Sequence, residues 1–264
     1  MVLESIFTAK TLEKKPFDML ILSIIITLVC VFVSVKILPE HAGILSASLI
    51  TIGLTPVFFK IFRIDEEGER RSARKLSKQN FWERHDETII LFSLFFIGNF
   101  LAVFLIVLIA PQTFIATAFG NQISAIGAIN PATGSFLGSD LLSIIFANNM
   151  RVMFFAFILS FLIGAAGLFI LSWNASILAI YLGSFIKEGL HQDFFLRALG
   201  IAPHAPVEIF AYFLAVIAGG ILSVGVIREK YGSKSFNLVF RDAMIMLFVA
   251  VLALVIGAFL EVYI

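Results

Sequence analysis

"VMFFAFILSFLIGAAGLFILSWNASILAIYLGSFI", residues 152–186, runs for 35 residues without one charged side chain. As a single helix it would be about 50 Å long at about 1.5 Å per residue, far more than the roughly 30 Å hydrocarbon core of a bilayer. It is too long to cross once and short for two crossings with a loop. Asn174 supplies a polar break, and Asn or Ser there can cap a new helix. The stretch therefore reads as a tight hairpin, with one arm over 151–172 and a short second arm over 174–187. A half-helix over 174–187 that re-enters and leaves on the same side is the rival reading. The number of crossings, and with it the fold, turns on this choice.

The rest of the chain has the same character. Of its 264 residues 60% are hydrophobic and 14% charged, with a mean hydropathy of +1.02. Soluble domains carry nearly twice that share of charge, so the bilayer is the expected solvent. Besides the two arms, apolar stretches run over 18–38, 43–62, 88–110, 203–227 and 243–262. The expected fold is all-α, one integral membrane domain of about seven spans over 1–264. A net charge of +1 without a basic tail gives no reason to expect nucleic acid. The single Cys30 excludes an intramolecular disulfide framework.

Basic residues set the expected orientation. Lys10, Lys14 and Lys15 precede the first span, eight Lys or Arg lie from Lys60 at the end of span two to Arg84 before span three, and Arg228, Lys230, Lys234 and Arg241 follow span six. From Pro111 to Met150 there is none. This places the N-terminus inside and the C-terminus outside, in a cell membrane. Residues 63–87 then form a charged cytoplasmic loop, expected to be a solvated helix, and His85 falls in it as His41 and His191 fall in other loops. Residues 111–150 form an apolar outer loop, broken by Gly, Pro, Asn and Ser, that is re-entrant or interfacial.

Polar groups at membrane depth are rare and face the bundle interior. Here they are Asn99, Asn148, Asn149, Arg151, Asn174, His204 and Glu208. Arg151 and Glu208 open spans four and six from the same side, so they are expected to pair, with Asn148 and Asn149 filling the remaining hydrogen-bond capacity. His204 and Glu208, four residues apart, share a helix face at metal-ligand spacing. Two ligands do not make a site, so they are weak metal candidates. No HExxH, Walker loop, GxGxxG or Ser/His/Asp order is present. No cofactor is expected, and no catalytic residue can be named.

"FANNMRVMFFAFILSFLIGAAGLFILSWNASILAIYLGSF", followed by "IAPHAPVEIFAYFLAVIAGGILSVGV", resembles the stage II sporulation protein M family of integral membrane proteins. The family pattern has an Asn-Asn-x-basic start, a Gly-rich span, an Asn at the next turn and a Pro-His-Gly-x-x-Glu opening. Asn148, Asn149, Arg151, Gly164, Asn174, Pro203, His204 and Glu208 stand at those positions, with Ala205 in place of the usual Gly. The resemblance is good over 145–230. "LESIFTAKTLEKKP" and "AFLEVYI" are similar to the archaeal branch. The resemblance implies a place in a membrane complex, as bacterial members belong to a sporulation engulfment complex with wall-remodelling partners. Two functions follow as expectations. One is a non-catalytic scaffold for other membrane proteins, or for further copies of itself. The other is a small-solute or ion transporter or channel built on the Arg/His/Glu/Asn cluster.

Overall fold

A computed structural model describes residues 9–73, 80–133 and 138–263, with the side chains of 10, 13 and 128–140 left aside. Residues 3–8 of the N-terminal motif, 74–79 of the charged segment, 134–137 of the outer segment and Ile264 lie outside this description. Every regular element among the described residues is helical, and seven helices are long and apolar enough to cross a membrane.

After a short α1 (Ala9–Lys14) come α2 (Phe17–Ile37), a 3-10 turn at Pro39–His41, and α3 (Ala42–Ala73). Then follow α4 (Phe81–Ile109), α5 (Gln112–Thr133), α6 (Gly138–Ile163), a second 3-10 turn at Ala165–Gly167, and α7 (Leu168–Lys187). The chain ends with α8 (His191–Ile201), α9 (Ala205–Arg228) and α10 (Lys234–Tyr263).

The charge-free stretch is indeed a hairpin, but its break is not at Asn174. The chain turns at Gly164, whose φ of +63° only glycine adopts without strain, and the N–H of Gly167 donates to Ser160 Oγ at 3.2 Å. Asn174 lies inside α7 and donates to the Ile170 carbonyl one turn back, at 2.7 Å. An Asn satisfied in this way need not end a helix. The second arm is accordingly a full 20-residue helix rather than a short one.

Four helices overrun their apolar stretches. α3 continues to Ala73, α4 begins at Phe81, α6 begins at Gly138, and α10 begins at Lys234. The start of α4 is fixed by a capping box: Asn80 Oδ1 accepts from the Glu83 N–H at 3.0 Å, while Glu83 Oε2 accepts from the Asn80 N–H at 2.9 Å. What was expected as a solvated loop over 63–87 is thus two helix ends flanking residues 74–79, and part of it is core.

α9 is the centre of the bundle. Every residue from Ala211 to Gly225 is buried, and small residues let its neighbours approach closely. A Cβ at Gly219 would lie 2.4 Å from the Phe157 carbonyl oxygen of α6, and one at Gly220 would meet the Phe62 ring of α3 at 2.3 Å. α10 and α6 pack on α9, α7 packs beside α4, and α2 closes the far side of α4. In that outer layer Thr27 Oγ1 donates to Asn99 Oδ1 at 2.9 Å, and Asn99 Nδ2 donates to the Phe95 carbonyl at 2.8 Å.

The apolar segment after Pro111 folds back onto the bundle as α5, kinked at Phe119. Ile115, Ala118 and Phe119 are buried. Gln122 donates to the Gly43 carbonyl at 3.3 Å and to Ser176 Oγ at 3.2 Å, joining α5 to α3 and α7.

Candidate functional site

The buried and half-buried charged side chains of the bundle gather at its two ends. One end holds the N-terminus of α9, the C-terminus of α10 and the upper turns of α6. There Asn149 Nδ2 donates to Glu208 Oε1 at 2.6 Å, and Tyr212 Oη donates to Asn149 Oδ1 at 3.0 Å. α10 presses on the same carboxylate: Gly257 comes so close that a Cβ there would lie 2.7 Å from Glu208 Cγ. Glu261, one turn further on, is near enough for its charge to act on Glu208. This end therefore sets one carboxylate against another, with an amide and a phenol between α6 and α9.

Arg151 takes no part. It is exposed and forms no ion pair among the described residues, so the expected Arg151–Glu208 pair is absent. The reason is helical phase. Asn149 and Arg151 are two residues apart on α6 and point to different faces, and the bundle turns Asn149 inward. Asn148 is exposed for the same reason, and Asn174 is spent on its own helix. His204 is half-buried at the N-terminal boundary of α9, where its carbonyl accepts from the N–H groups of Val207 at 3.0 Å and Glu208 at 3.1 Å. Burial holds its imidazole below the usual histidine range. Its Nδ1 has no partner, and no third ligand joins His204 and Glu208 among the described residues.

At the opposite end lies a denser cluster that the sequence reading assigned to solvent. Asp65, Glu66 and Glu69 of α3, His85 of α4 and Asp242 of α10 are all buried. His85 Nδ1 lies 2.6 Å from Asp65 Oδ1, while its Nε2 faces Glu69 Oε1 at 3.5 Å and Asp242 Oδ2 at 3.6 Å. Arg84 forks onto Asp242 Oδ2, and Arg241 reaches Asp242 Oδ1 at 3.1 Å. Beside this, Arg228 at the end of α9 bridges Glu66 at 2.8 Å and Glu67 at 3.0 Å. The Phe81 ring stands edge-on to His85, with centroids 5.2 Å apart. Four helices are thus joined through charged groups at this end.

A signal for this cluster was present in the sequence. Phe58, Ile61, Phe62, Asp65, Glu66 and Glu69 follow one three- and four-residue stripe down α3, and His85, Thr88, Phe92, Phe95 and Asn99 follow another down α4. The acids and the histidine simply prolong the core-facing stripes.

The family model described as Stage II sporulation protein M matches residues 91–264 of the chain. No curated protein matches it, and no solved structure does. The match covers α9 and the end with Glu208, and of the second cluster only Arg228, Arg241 and Asp242; Asp65, Glu69 and His85 lie before it.

Proposed function

We infer that this chain, which belongs to the stage II sporulation protein M family, organises other proteins within the membrane and carries out no chemistry itself. The unbroken burial of α9 from Ala211 to Gly225 carries this reading. A helix at the bundle axis whose every face is covered by neighbouring side chains offers no wall to a solute path. What remains available is the periphery. An apolar cleft of about 360 Å³ opens sideways between α2, α4 and the start of α5, lined by Leu28, Phe32, Leu105, Ile109 and Phe114. α8 buries none of its residues and exposes Phe195, Leu196 and Leu199. Such faces suit lipid and the helices of partners, including further copies of this chain.

The orientation follows the basic residues: the end with Arg228, Arg84 and His85 faces the cytoplasm of a cell membrane, and the end with Glu208 faces out. Single cysteines in a Cys30-free background, labelled in sealed vesicles, test this. A cysteine at Gly120 should label from outside and one at Arg71 should not. The reverse pattern would overturn the orientation.

A second reading rests on Glu208 held beside Asn149 and Tyr212, with the charge of Glu261 acting on it, an arrangement suited to accepting a proton or small cation. Crosslinking in native membranes, followed by purification, should bring down a stable partner or oligomer. If the chain is recovered alone, and reconstituted vesicles show an ion or solute flux that Glu208→Gln abolishes, transport replaces assembly.

A further inference from the structure

We propose that Glu69, His85 and Asp242 form a binding site for a divalent transition-metal ion, with Asp65 holding the histidine in position. No part of the assembly reading requires this, and the two stand or fall separately.

Asp65 Oδ1 is 2.6 Å from Nδ1 of His85, so Nδ1 carries the hydrogen and the carboxylate accepts it. That bond fixes the ring and the tautomer. It leaves the Nε2 lone pair directed away from Asp65, as in carboxylate–histidine–metal arrangements. Nε2 has no hydrogen-bond partner, and neither does either oxygen of Glu69. Both side chains are wholly buried. A buried carboxylate with both oxygens unpartnered is among the costliest states a side chain can occupy, so the cluster calls for a group that satisfies it.

The distances say what kind. Nε2 stands 3.5 Å from Glu69 Oε1 and 3.6 Å from Asp242 Oδ2, too long for good hydrogen bonds. Two ligands of one tetrahedral ion, each bonded at about 2.0–2.1 Å, are separated by about 3.3–3.4 Å. The nitrogen stands at nearly that spacing from one oxygen of Glu69 and from one oxygen of Asp242, which Arg84 also holds, and water would complete the shell of the ion. The charge count agrees. Asp65, Glu69 and Asp242 carry three negative charges against Arg84 and the largely exposed Arg241, whose guanidinium is 61% exposed. An imidazole ligand with carboxylates favours zinc, manganese, iron or cobalt over magnesium or calcium.

The donors come from three helices, α3, α4 and α10, that meet only at this end of the fold. An ion there would lock the cluster as Arg228 locks α9 to α3. The site is also closed: its donors are buried, and the Phe81 ring stands edge-on to His85. This is the character of a structural ion rather than one that admits substrate.

The test uses the full chain, purified in detergent without a polyhistidine tag. Elemental analysis should find about one transition-metal ion per chain. Chelator should lower the melting temperature, and adding back zinc, manganese or cobalt should restore it while magnesium does not. Cobalt(II) should give d–d absorption bands that Glu69→Gln and His85→Gln abolish and His204→Gln leaves intact. If either first variant fails to fold, the chelation and add-back series on the unaltered chain still decides the matter. Metal content near zero, together with a melting temperature unmoved by chelator and by every added ion, would overturn the proposal and leave an ion-pair knot.

Discussion

The two ends of α9 solve the problem of polar groups beside lipid in opposite ways. At the Glu208 end one amide holds Glu208 within reach of the charge of Glu261, and the arginine two residues from that amide points away. At the His85 end three helices bring carboxylates, a histidine and an arginine together with almost no exposed surface, and Arg228 adds the fourth helix. The first arrangement is sparse and yielding. The second is dense, and removal of any one member strands the others. An isolated polar residue in an apolar run is conspicuous but can be structurally minor, whereas a charge-rich segment can hide the most tightly packed polar site in the molecule.

The largest effect should come from breaking the dense end. Arg84→Met leaves Asp242 buried without its main counter-charge, and loss of one partner of a buried pair costs about 3–5 kcal/mol. Arg151→Met, at an exposed position with no ion pair among the described residues, should be close to neutral. Thermal melts of both variants in the same detergent make the comparison. Equal losses for the two arginines would erase the distinction between the ends.

Next comes the packing that joins the ends. Gly219→Ala places a methyl group 2.4 Å from the Phe157 oxygen and 2.9 Å from the Phe161 nitrogen, both backbone atoms that cannot swing aside. Forcing α6 from α9 should cost about 1–3 kcal/mol. Gly53→Ala meets nothing within 4 Å and should be neutral or slightly stabilising, since glycine is the poorer helix former by up to about 1 kcal/mol. A tolerated Gly219→Ala would mean that α9 is not clamped as tightly as its burial indicates.

At the sparse end, Asn149→Ala removes the amide that bonds both Glu208 and Tyr212. Polar bridges between membrane helices average about 0.6 kcal/mol and reach about 1.7, so a loss of about 1 kcal/mol is expected. Asn148→Ala, at the exposed neighbour, should change nothing measurable. Comparable losses would show that α6 is turned differently.

Much of this molecule could be read before its fold was known. Hydropathy pointed to the seven helices that are long and apolar enough to cross a membrane, because about 20 apolar residues in a row have few other uses, but it left the 22-residue α5 as a loop. It also singled out Asn149 and Glu208, which do meet. The break in the charge-free stretch was misplaced because polarity was weighed above backbone freedom. Asn174 satisfies itself within its helix, while Gly164 supplies the positive φ that the turn requires. Arg151 was misassigned because depth along the membrane was considered without phase around the helix. Asp65, Glu69 and His85 were passed over because charge was equated with solvent, although their spacing continued the apolar stripes and Asn80–Glu83 announced an early start for α4.

The smallest expected effect is the pH response of His204, and it bears on whether the sparse end has any role beyond packing. Burial lowers the imidazole pKa in the folded chain, so the unfolded chain takes up the proton more readily. Stability then rises with pH across that interval: it is intact above about pH 6.5, the ordinary histidine value, and declines as the pH falls below it. His204 is only half-buried, so solvent limits the size of the effect. Other groups titrate in the same range, and the quantity to measure is therefore a difference, the melting temperature of the unaltered chain minus that of His204→Gln between pH 5 and 8. The difference should fall as the pH drops, while the same subtraction with Asn148→Ala, an exposed position without a titrating side chain, stays flat. A difference that grows on acidification would mean that His204 gains a partner when charged, for which the carboxylate of Glu208, one turn on, is the candidate. In that case the sparse end would respond to protons, which would favour the transport reading over assembly.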